Sequence, residues 1–399
     1  MANGDPNTME TLLRTVERLW PAAPDVRMVS GRGAGVGGSD DQHLLVVPNA
    51  RSVRLLVPEQ RRAAAAAMRR YSAAISTREL VKRLLVGGAL RVTGGRLLPD
   101  RVRIAGPAGE SLQSHLGDVL GERVSMSVGI GSVRANRKPV LGVFDRHGRA
   151  VAYVKVGDSP VATANVRREA DALATVGART WAVLEPPALL HSGSWNGMHV
   201  LVISALSSSP WQGRKSEWRI PDAAMAELAG AFDKGPMALA ETPMWRRCLG
   251  ALDLLFDQEM QTKLASALDR VADGVGDRSV QVGAWHGDFT PWNMARRRGR
   301  IQLWDWERFE TGVPVGLDRM HYAVNVMTRR RGFDAAAITE GLSIGGATMV
   351  PLATRDAIAA AYLVSLACRY LLAAQGPGGD AIVDNALAVY GERLLAPNR

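Results

Sequence analysis

The amino-acid sequence predicts an α+β fold in which a small sheet-based lobe precedes a larger helical lobe, with an extra α+β region in front of both. Strand-like runs separated by turn residues occupy 123–157. Apolar residues at helical spacing dominate beyond residue 210, and one β-rich interruption, 281–305, lies among those helices. We therefore divide the chain into three predicted segments, 1–110, 111–206 and 207–399.

The composition is that of a globular protein kept in a reducing compartment. Of the 399 residues, 47% are hydrophobic and 22% are charged, which excludes a disordered or fibrous chain. Two cysteines, Cys248 and Cys368, are too few for a disulfide framework or a structural zinc site. The longest apolar run, 357–374, contains Arg369 and is predicted to be a buried helix. We therefore expect a cytoplasmic protein without a membrane span.

The formal net charge of +10 is unevenly placed along the chain. Lys and Arg exceed Asp and Glu only within residues 1–210, whereas 211–399 carries equal numbers of the two signs. An anionic ligand or a nucleic acid would suit such a surface. However, the basic half lacks interleaved aromatic residues and any nucleic-acid-binding motif. We favour an arginine-rich solvated surface and do not expect a nucleic-acid partner.

The first segment is predicted to be a small α+β module. Its predicted strands and helices are 43–48, 52–58, 61–74 and 77–86, followed by a hairpin over 91–104. Gly87 and Gly88 would end the second helix, and a later Gly-Gly pair would form the hairpin turn. The sequence leaves open whether this module extends the sheet of the next segment, walls an acceptor site or forms a dimer contact.

The other two segments differ in their dominant element. In the middle segment, predicted strands at 124–128, 140–144 and 150–156 form an antiparallel meander, followed by a helix at 161–176 and strands at 180–185 and 199–203. In the last segment, predicted helices span 222–232, 244–256, 258–275, 335–340, 351–374 and 381–395. The sequence contains no internal repeat, which excludes a solenoid or propeller.

The most informative residues stand in the β-rich interruption of the helical half. The string Trp-His-Gly-Asp-Phe-Thr-Pro-Trp-Asn ends at Asn293, and Leu-Trp-Asp-Trp-Glu follows with Asp305 at its centre. Asp288, Asn293 and Asp305 form a pattern suited to phosphoryl transfer. The carboxylate of Asp288 can take the proton of an attacking hydroxyl, while an amide and a second carboxylate can hold Mg²⁺.

The strings HGDFTPWN and LWDWE resemble the motifs of the aminoglycoside phosphotransferases and choline kinases, a group of small-molecule kinases with a protein-kinase-like fold. Gly287 stands where protein kinases have the Arg of H-R-D, and Asp-Trp-Glu replaces D-F-G, which favours the small-molecule branch. The resemblance covers about 111–395 and implies a bilobal fold with ATP between the lobes. It makes Asp288 the catalytic base, with Asn293 and Asp305 as ligands of Mg²⁺.

The resemblance also assigns nucleotide-binding roles to the sheet lobe. Lys155, on the third strand of the meander, would contact the α- and β-phosphates, and Glu169 in the following helix would be its ion-pair partner. Gly129 and Gly131 would let backbone amides approach a phosphate. The segment from Ser204 to Leu206 would be the hinge whose backbone hydrogen-bonds adenine.

Two further residues near the motif are given structural roles. His286 is predicted to brace the catalytic loop, because a carboxylate already fills the role of the base. Asp318 is predicted to be a buried anchor that accepts backbone hydrogen bonds. The arginine runs at 296–300 and 329–331 are predicted to be solvated surface.

Two functional hypotheses follow from these residues. The favoured one is an ATP-dependent kinase that moves the γ-phosphate of Mg-ATP to a hydroxyl of a sugar, amino sugar, amino alcohol or related metabolite. The balanced charge of the helical half disfavours a polycationic acceptor, so we expect a neutral or anionic one. The alternative is a catalytically silent binding protein, which the complete set of Lys155, Asp288, Asn293 and Asp305 argues against. A homodimer is left open.

Overall fold

The computed structural model describes residues 6–30, 41–50, 53–68, 77–106, 109–129, 140–206, 219–349, 351–376, 385–386 and 389–391. The helices are α1 (Pro6–Leu19), α2 (Arg61–Ala67), α3 (Thr77–Thr93), α4 (Leu112–Leu120), α5 (Pro160–Gly177), α6 (Asp222–Ala231), α7 (Pro243–Leu252), α8 (Gln258–Val271), α9 (Leu317–Arg331), α10 (Ala335–Gly346) and α11 (Leu352–Ala374).

The strands are β1 (Val26–Ser30), β2 (Gln42–Val47), β3 (Leu55–Pro58), β4 (Asp100–Ile104), β5 (Ser125–Gly129), β6 (Val140–Phe144), β7 (Ala150–Gly157), β8 (Leu184–Glu185), β9 (Leu189–Trp195), β10 (Met198–Ser204), β11 (Gly235–Ala238), β12 (Ser279–Trp285), β13 (Met294–Arg297), β14 (Arg300–Leu303) and β15 (Glu310–Pro314). The chain divides into two compact units. We call Met1–Ala170 with Pro187–Pro210 the sheet unit, and Asp171–Pro186 with Trp211–Arg399 the helical unit.

The sheet unit is built on one antiparallel sheet. Among the described residues its strand order is β1-β4-β2-β3-β5-β6-β7-β10-β9. The predicted meander forms its centre as β5, β6 and β7. Along β7, Val154 and Val156 are fully buried and lie on one face, so Lys155 between them lies on the opposite face.

The first segment extends this sheet. Strand β3 pairs with β5, with Leu55 opposite Gly129 and Leu56 opposite Val128. Strand β5 is therefore paired on both sides, with β6 and with β3, and is not an edge strand of the sheet. Helix α1, which the sequence analysis did not predict, contributes Leu12 to the same hydrophobic core as Leu56 and Val128. Of the three roles left open for this segment, extension of the sheet is therefore observed.

Two predictions within the first segment are wrong. Helix α3 continues through Gly87 and Gly88 as far as Thr93, and residues 91–104 form the end of that helix and strand β4 rather than a hairpin. A Cβ at Gly87 would lie 3.3 Å from the carbonyl oxygen of Ala65. This glycine therefore allows α3 to pack closely on α2 instead of ending the helix.

The helical unit contains two three-stranded sheets, ordered β11-β12-β15 and β13-β14-β8. Helix α6 packs directly on β12. A Cβ at Gly283 would lie only 2.4 Å from the carbonyl oxygen of Ala229, so the close approach requires glycine. Helix α9 falls between the predicted elements and was not anticipated. Of the predicted helix 381–395, the structure describes 385–386 and 389–391, which are helical. The rest of that prediction lies outside the described residues.

Helix α11 is long and apolar enough to cross a membrane, and no other helix in the described ranges is. Half of its most apolar window is buried inside the protein. Ala361, Tyr362 and Val364 are fully buried in the core of the helical unit. The guanidinium of Arg369 donates a hydrogen bond of 2.9 Å to the carbonyl oxygen of Gly287. The charged residue that interrupts the apolar run thus contacts the HGDFTPWN segment.

Candidate active site

Strand β12 carries the chain into the loop that contains the HGDFTPWN motif. Two residues after Trp285, Gly287 adopts a positive φ of 76°, a conformation that favours glycine. A Cβ at Gly287 would lie 2.2 Å from the carbonyl oxygen of Arg308. Both the backbone angle and this close approach require glycine, which explains why an arginine cannot stand here.

Asp318, at the start of α9, binds the backbone of this loop through its side chain. Its two carboxylate oxygens accept hydrogen bonds from the backbone N–H groups of His286 and Gly287, at 2.7 and 3.1 Å. The predicted buried anchor that accepts backbone hydrogen bonds is thus present. Burial raises the pKa of Asp318 to about 7, and the two backbone hydrogen bonds oppose that rise.

His286 is fully buried beneath the loop. Its Nδ1 accepts a hydrogen bond of 3.2 Å from the backbone N–H of Asp288, and its ring meets the Trp306 ring edge to face at 4.7 Å between centroids. Burial lowers the pKa of His286 to about 4, with the carboxylate of Asp288 opposing the change. A neutral imidazole that accepts a backbone hydrogen bond agrees with the bracing role predicted for it.

The Asp288 carboxylate is held from two sides. Oδ2 accepts a hydrogen bond of 2.8 Å from Nδ2 of Asn293, whose Nδ2 also lies 3.0 Å from the Asp288 carbonyl oxygen. Oδ1 lies 3.1 Å from Nε2 of His321. The side chain remains 34% exposed, so a small molecule can still reach a carboxylate whose orientation is already set.

A short hairpin brings Asn293 and Asp305 to the same place. Strands β13 and β14 pair with Met294 opposite Leu303, and the backbone N–H of Trp304 donates to the carbonyl oxygen of Asn293 at 3.0 Å. Asp305 follows at once with a left-handed backbone, φ 74° and ψ 57°. This conformation is uncommon for a residue with a side chain and turns the chain sharply into a 3₁₀ turn, Trp306–Arg308.

The donor atoms at this hairpin fit a hard divalent cation. Because Nδ2 of Asn293 is bonded to Asp288, its Oδ1 is the side-chain atom left to coordinate a metal. Asp305 adds a carboxylate, and oxygen donors of these two kinds are those that Mg²⁺ prefers. The residues present therefore suit the cation that the sequence motif implies.

In the sheet unit, Lys155 and Glu169 form an ion pair. Nζ of Lys155 lies 2.7 and 2.5 Å from the two carboxylate oxygens of Glu169. The Glu169 side chain is fully buried and that of Lys155 is 12% exposed. Strand β7 supplies the lysine and helix α5 supplies the glutamate, so the two residues are brought together by packing of the helix on the sheet.

The remaining predicted nucleotide-binding residues are only partly described. Gly129 ends β5 opposite Val140, and Gly131 lies outside the described residues. In the predicted hinge, the N–H of Ser204 donates to the carbonyl oxygen of Ala188 and that of Ala205 donates to Val151. Of the three hinge N–H groups, that of Leu206 is the one without a hydrogen bond to the described residues.

His321 is the residue of this site that sequence reasoning missed. Besides contacting Asp288, its Nδ1 lies 3.2 Å from the hydroxyl of Tyr362, and its ring is 7% exposed. His321 stands one helical turn after Asp318 on α9, so both side chains reach the same loop. The spacing Asp-x-x-His is visible in the sequence, but it becomes informative only once 317–331 is recognised as a helix.

Comparison with known proteins gives information about the fold. No protein-family model and no curated protein sequence matches the chain. A solved structure of a thermostable aminoglycoside phosphotransferase APH(4)-Ia variant with ADP and hygromycin B is 16% identical, with a TM-score of 0.50. It covers 71% of this chain and 97% of its own. The chain has the fold of the aminoglycoside phosphotransferases. The α+β, protein-kinase-like fold predicted from the motifs is thereby confirmed.

Other structures with this fold match more weakly. ADP-bound APH(2'')-Ib is 12% identical, covers 69% of this chain and 95% of its own, and has a TM-score of 0.43. Amicoumacin kinase hAmiN in complex with AMP-PNP, Ca²⁺ and Ami is also 12% identical, covers 68% of this chain and 90% of its own, and has a TM-score of 0.38. The fold assignment depends on the APH(4)-Ia structure.

Proposed function

We propose that this protein is an ATP-dependent phosphotransferase that moves the γ-phosphoryl group of Mg-ATP to a hydroxyl of a small molecule. The arrangement of Asp288, Asn293 and Asp305 carries the proposal. The Asn293 amide orients the Asp288 carboxylate at 2.8 Å, and the hairpin places Asp305 next to Asn293. A carboxylate that could act as the base and two side chains with oxygen donors thus belong to one unit, which supports the proposal because phosphoryl transfer requires such groups.

In the proposed reaction, Asp288 accepts the proton of the acceptor hydroxyl. The acceptor oxygen forms a bond to the γ-phosphorus while the bond from that phosphorus to the bridging oxygen of ADP breaks, and ADP leaves with those electrons. Asn293 and Asp305 would hold Mg²⁺, which neutralises charge on the phosphates when bound. Because Asp288 is held by Asn293 and His321, its geometry is set before the acceptor arrives.

Lys155 is proposed to bind the α- and β-phosphates of the nucleotide. Its ion pair with the fully buried Glu169 keeps the ammonium in one position. Gly129, Gly131 and the Leu206 end of the hinge are proposed to contact ATP through their backbones. The APH(4)-Ia structure was solved with ADP, which supports a nucleotide as the phosphate donor.

The acceptor is proposed to be a neutral or anionic hydroxyl compound. APH(4)-Ia was crystallised with hygromycin B, which supports a small-molecule acceptor rather than a protein. Residues 211–399 carry equal numbers of basic and acidic side chains, so this half has no excess of carboxylates to attract a polycation. A cytoplasmic location remains a prediction.

The decisive experiment compares Asp288→Asn with the unchanged protein in ATP-dependent phosphorylation of a panel of sugars, amino sugars and amino alcohols. We expect turnover to fall about 10²- to 10⁴-fold with nearly unchanged ATP affinity. The matched control, Asp277→Asn, changes an exposed aspartate outside the site and should retain full turnover. Full phosphoryl transfer by Asp288→Asn would refute the assignment.

Nucleotide binding separates the enzyme from a catalytically silent binding protein. If Asn293 and Asp305 hold a cation, ATP should bind more tightly with Mg²⁺ than with EDTA, and Asp305→Asn should abolish the difference. Equal affinity with and without Mg²⁺ would favour the silent protein.

A further inference from the structure

A second concave site lies in the sheet unit, where the first segment meets the turn between β6 and β7. The cavity measures about 400 Å³. Ala65 and Ala66 of α2 form its apolar part, and its polar lining consists of three arginines and one histidine. These are Arg62 from α2, Arg91 from α3, and His147 and Arg149 from the turn.

Close packing of backbone against backbone fixes the walls of this pocket. Gly148 in the turn has a φ of 74°, and a Cβ there would lie 2.4 Å from Cβ of Arg62 and 2.6 Å from the backbone nitrogen of Ala63. Nε2 of Gln60 also donates a hydrogen bond of 2.6 Å to the carbonyl oxygen of Arg146. The elements that carry the cationic side chains are therefore held at set positions before any ligand binds.

The charge of the pocket is uncompensated by the described part of the chain. Arg62, Arg91 and Arg149 form no ion pair or side-chain hydrogen bond with another described residue. The nearby carboxylate of Asp145 is buried and accepts the backbone N–H groups of His147 and Arg149, both at 2.8 Å. No described acidic residue lines the cavity. The side chains of these three arginines are exposed, and together they give the cavity a positive charge that an anion would complement.

We propose that this pocket binds the phosphate group of a small anion. Guanidinium groups match phosphate oxygens with paired N–H donors, and three of them around a cavity can surround one tetrahedral group. The size of the cavity suits a phosphorylated metabolite or free phosphate. A long polyanion would instead require an extended basic surface.

The pocket is separate from the proposed active site. It lies at the turn before β7, whereas Lys155 lies six residues beyond Arg149 on that strand. Six extended residues span about 20 Å. Gly129, which pairs with Val140, lies at the opposite end of β6 from this turn. The proposal therefore stands whether or not the protein transfers phosphoryl groups.

Calorimetry with inorganic phosphate and with ribose 5-phosphate, in a phosphate-free buffer of low ionic strength, tests this site. The unchanged protein should bind one equivalent of a phosphate compound. The triple variant R62Q/R91Q/R149Q should bind at least about tenfold more weakly, because hydrogen bonds to charged groups are lost. Arg96→Gln removes another exposed arginine of the same unit and should bind normally, as should Lys155→Met, which changes the proposed ATP site.

Each outcome of this experiment decides the question. Tighter binding of ribose 5-phosphate identifies an organic phosphate as the ligand, and tighter binding of inorganic phosphate identifies free phosphate. Either result supports the site if the triple variant loses it while keeping the melting temperature of the unchanged protein. Absence of saturable binding, unchanged binding by the triple variant, or loss of binding in Lys155→Met would overturn the proposal. It would also be overturned if an oligonucleotide bound through these arginines while neither phosphate compound did.

Discussion

Burial of His286 beneath the loop of the HGDFTPWN motif should make this residue's own contribution to stability fall in acid. Burial lowers the pKa of His286 to about 4, below the 6.5 expected for a histidine in an unfolded chain. The unfolded chain therefore takes up the proton first as the pH falls. The contribution of His286 to stability is complete above pH 6.5 and is lost progressively as the pH falls toward 4.

The size of this effect follows from the two pKa values. Each pKa unit corresponds to about 1.4 kcal/mol, so the full loss is about 3 kcal/mol, of which between about 2 and 3 kcal/mol should be reached by pH 4.5. Asp318 acts in the opposite direction. Its pKa is raised to about 7, so its stabilisation is complete below pH 3.8 and is lost as the pH rises through 7. In the unchanged protein, the two groups therefore change the free energy of unfolding in opposite directions as the pH falls.

A variant isolates the contribution of His286. His286→Asn retains a side-chain acceptor for the backbone N–H of Asp288 but removes the titrating ring. Urea unfolding at pH 7.5 and pH 4.5, in EDTA, would give the free energy of unfolding of both proteins. The substitution should destabilise the protein at pH 7.5, because it leaves a cavity. Its cost should fall by about 2 to 3 kcal/mol at pH 4.5. An equal cost at both pH values would show that His286 is not buried as a neutral ring.

Three further predictions concern single side chains. Glu169→Gln should lower the free energy of unfolding by about 3 kcal/mol in urea, because a largely buried ammonium loses its counter-charge; an unchanged value would contradict the buried pair. His321→Phe should reduce turnover about tenfold without changing ATP affinity, because Asp288 loses a hydrogen bond that orients it, and unchanged kcat and pH profile would argue against such a role. Gly287→Ala should destabilise the protein by about 2 kcal/mol or more, whereas Gly250→Ala, in open space on α7, should be neutral or stabilising in the same thermal melt.

The central meander of the sheet and the HGDFTPWN motif were predictable because their signals are local. Alternation of apolar residues in 124–156 encodes the meander, since successive side chains of a strand face opposite sides. The sequence also predicted a β-rich interruption at 281–305, and strands β12, β13 and β14 form it. Patterns of this kind involve residues close together in the chain, so they can be read without knowledge of distant contacts.

Other features depend on contacts between distant segments. Gly87 looked like a helix terminator, but its small size serves the packing of α3 on α2. Helix α9 was missed because its mixed polar and apolar residues pack on several neighbours and give no clear amphipathic pattern. The partnership of His321 with Asp288 was missed together with that helix.

The proposed chemistry of this protein rests on a few residue types at short spacings, and the sequence was sufficient to find that motif. Which groups support that chemistry depends on the folded chain, because burial and contact arise only when distant segments pack. Packing surrounds His286 with apolar rings and lowers its pKa, it brings Arg369 from the end of α11 to the carbonyl of Gly287, and it joins the first segment to the sheet through β3 and β5. No local pattern carries that information, because each of these contacts joins residues far apart in the chain.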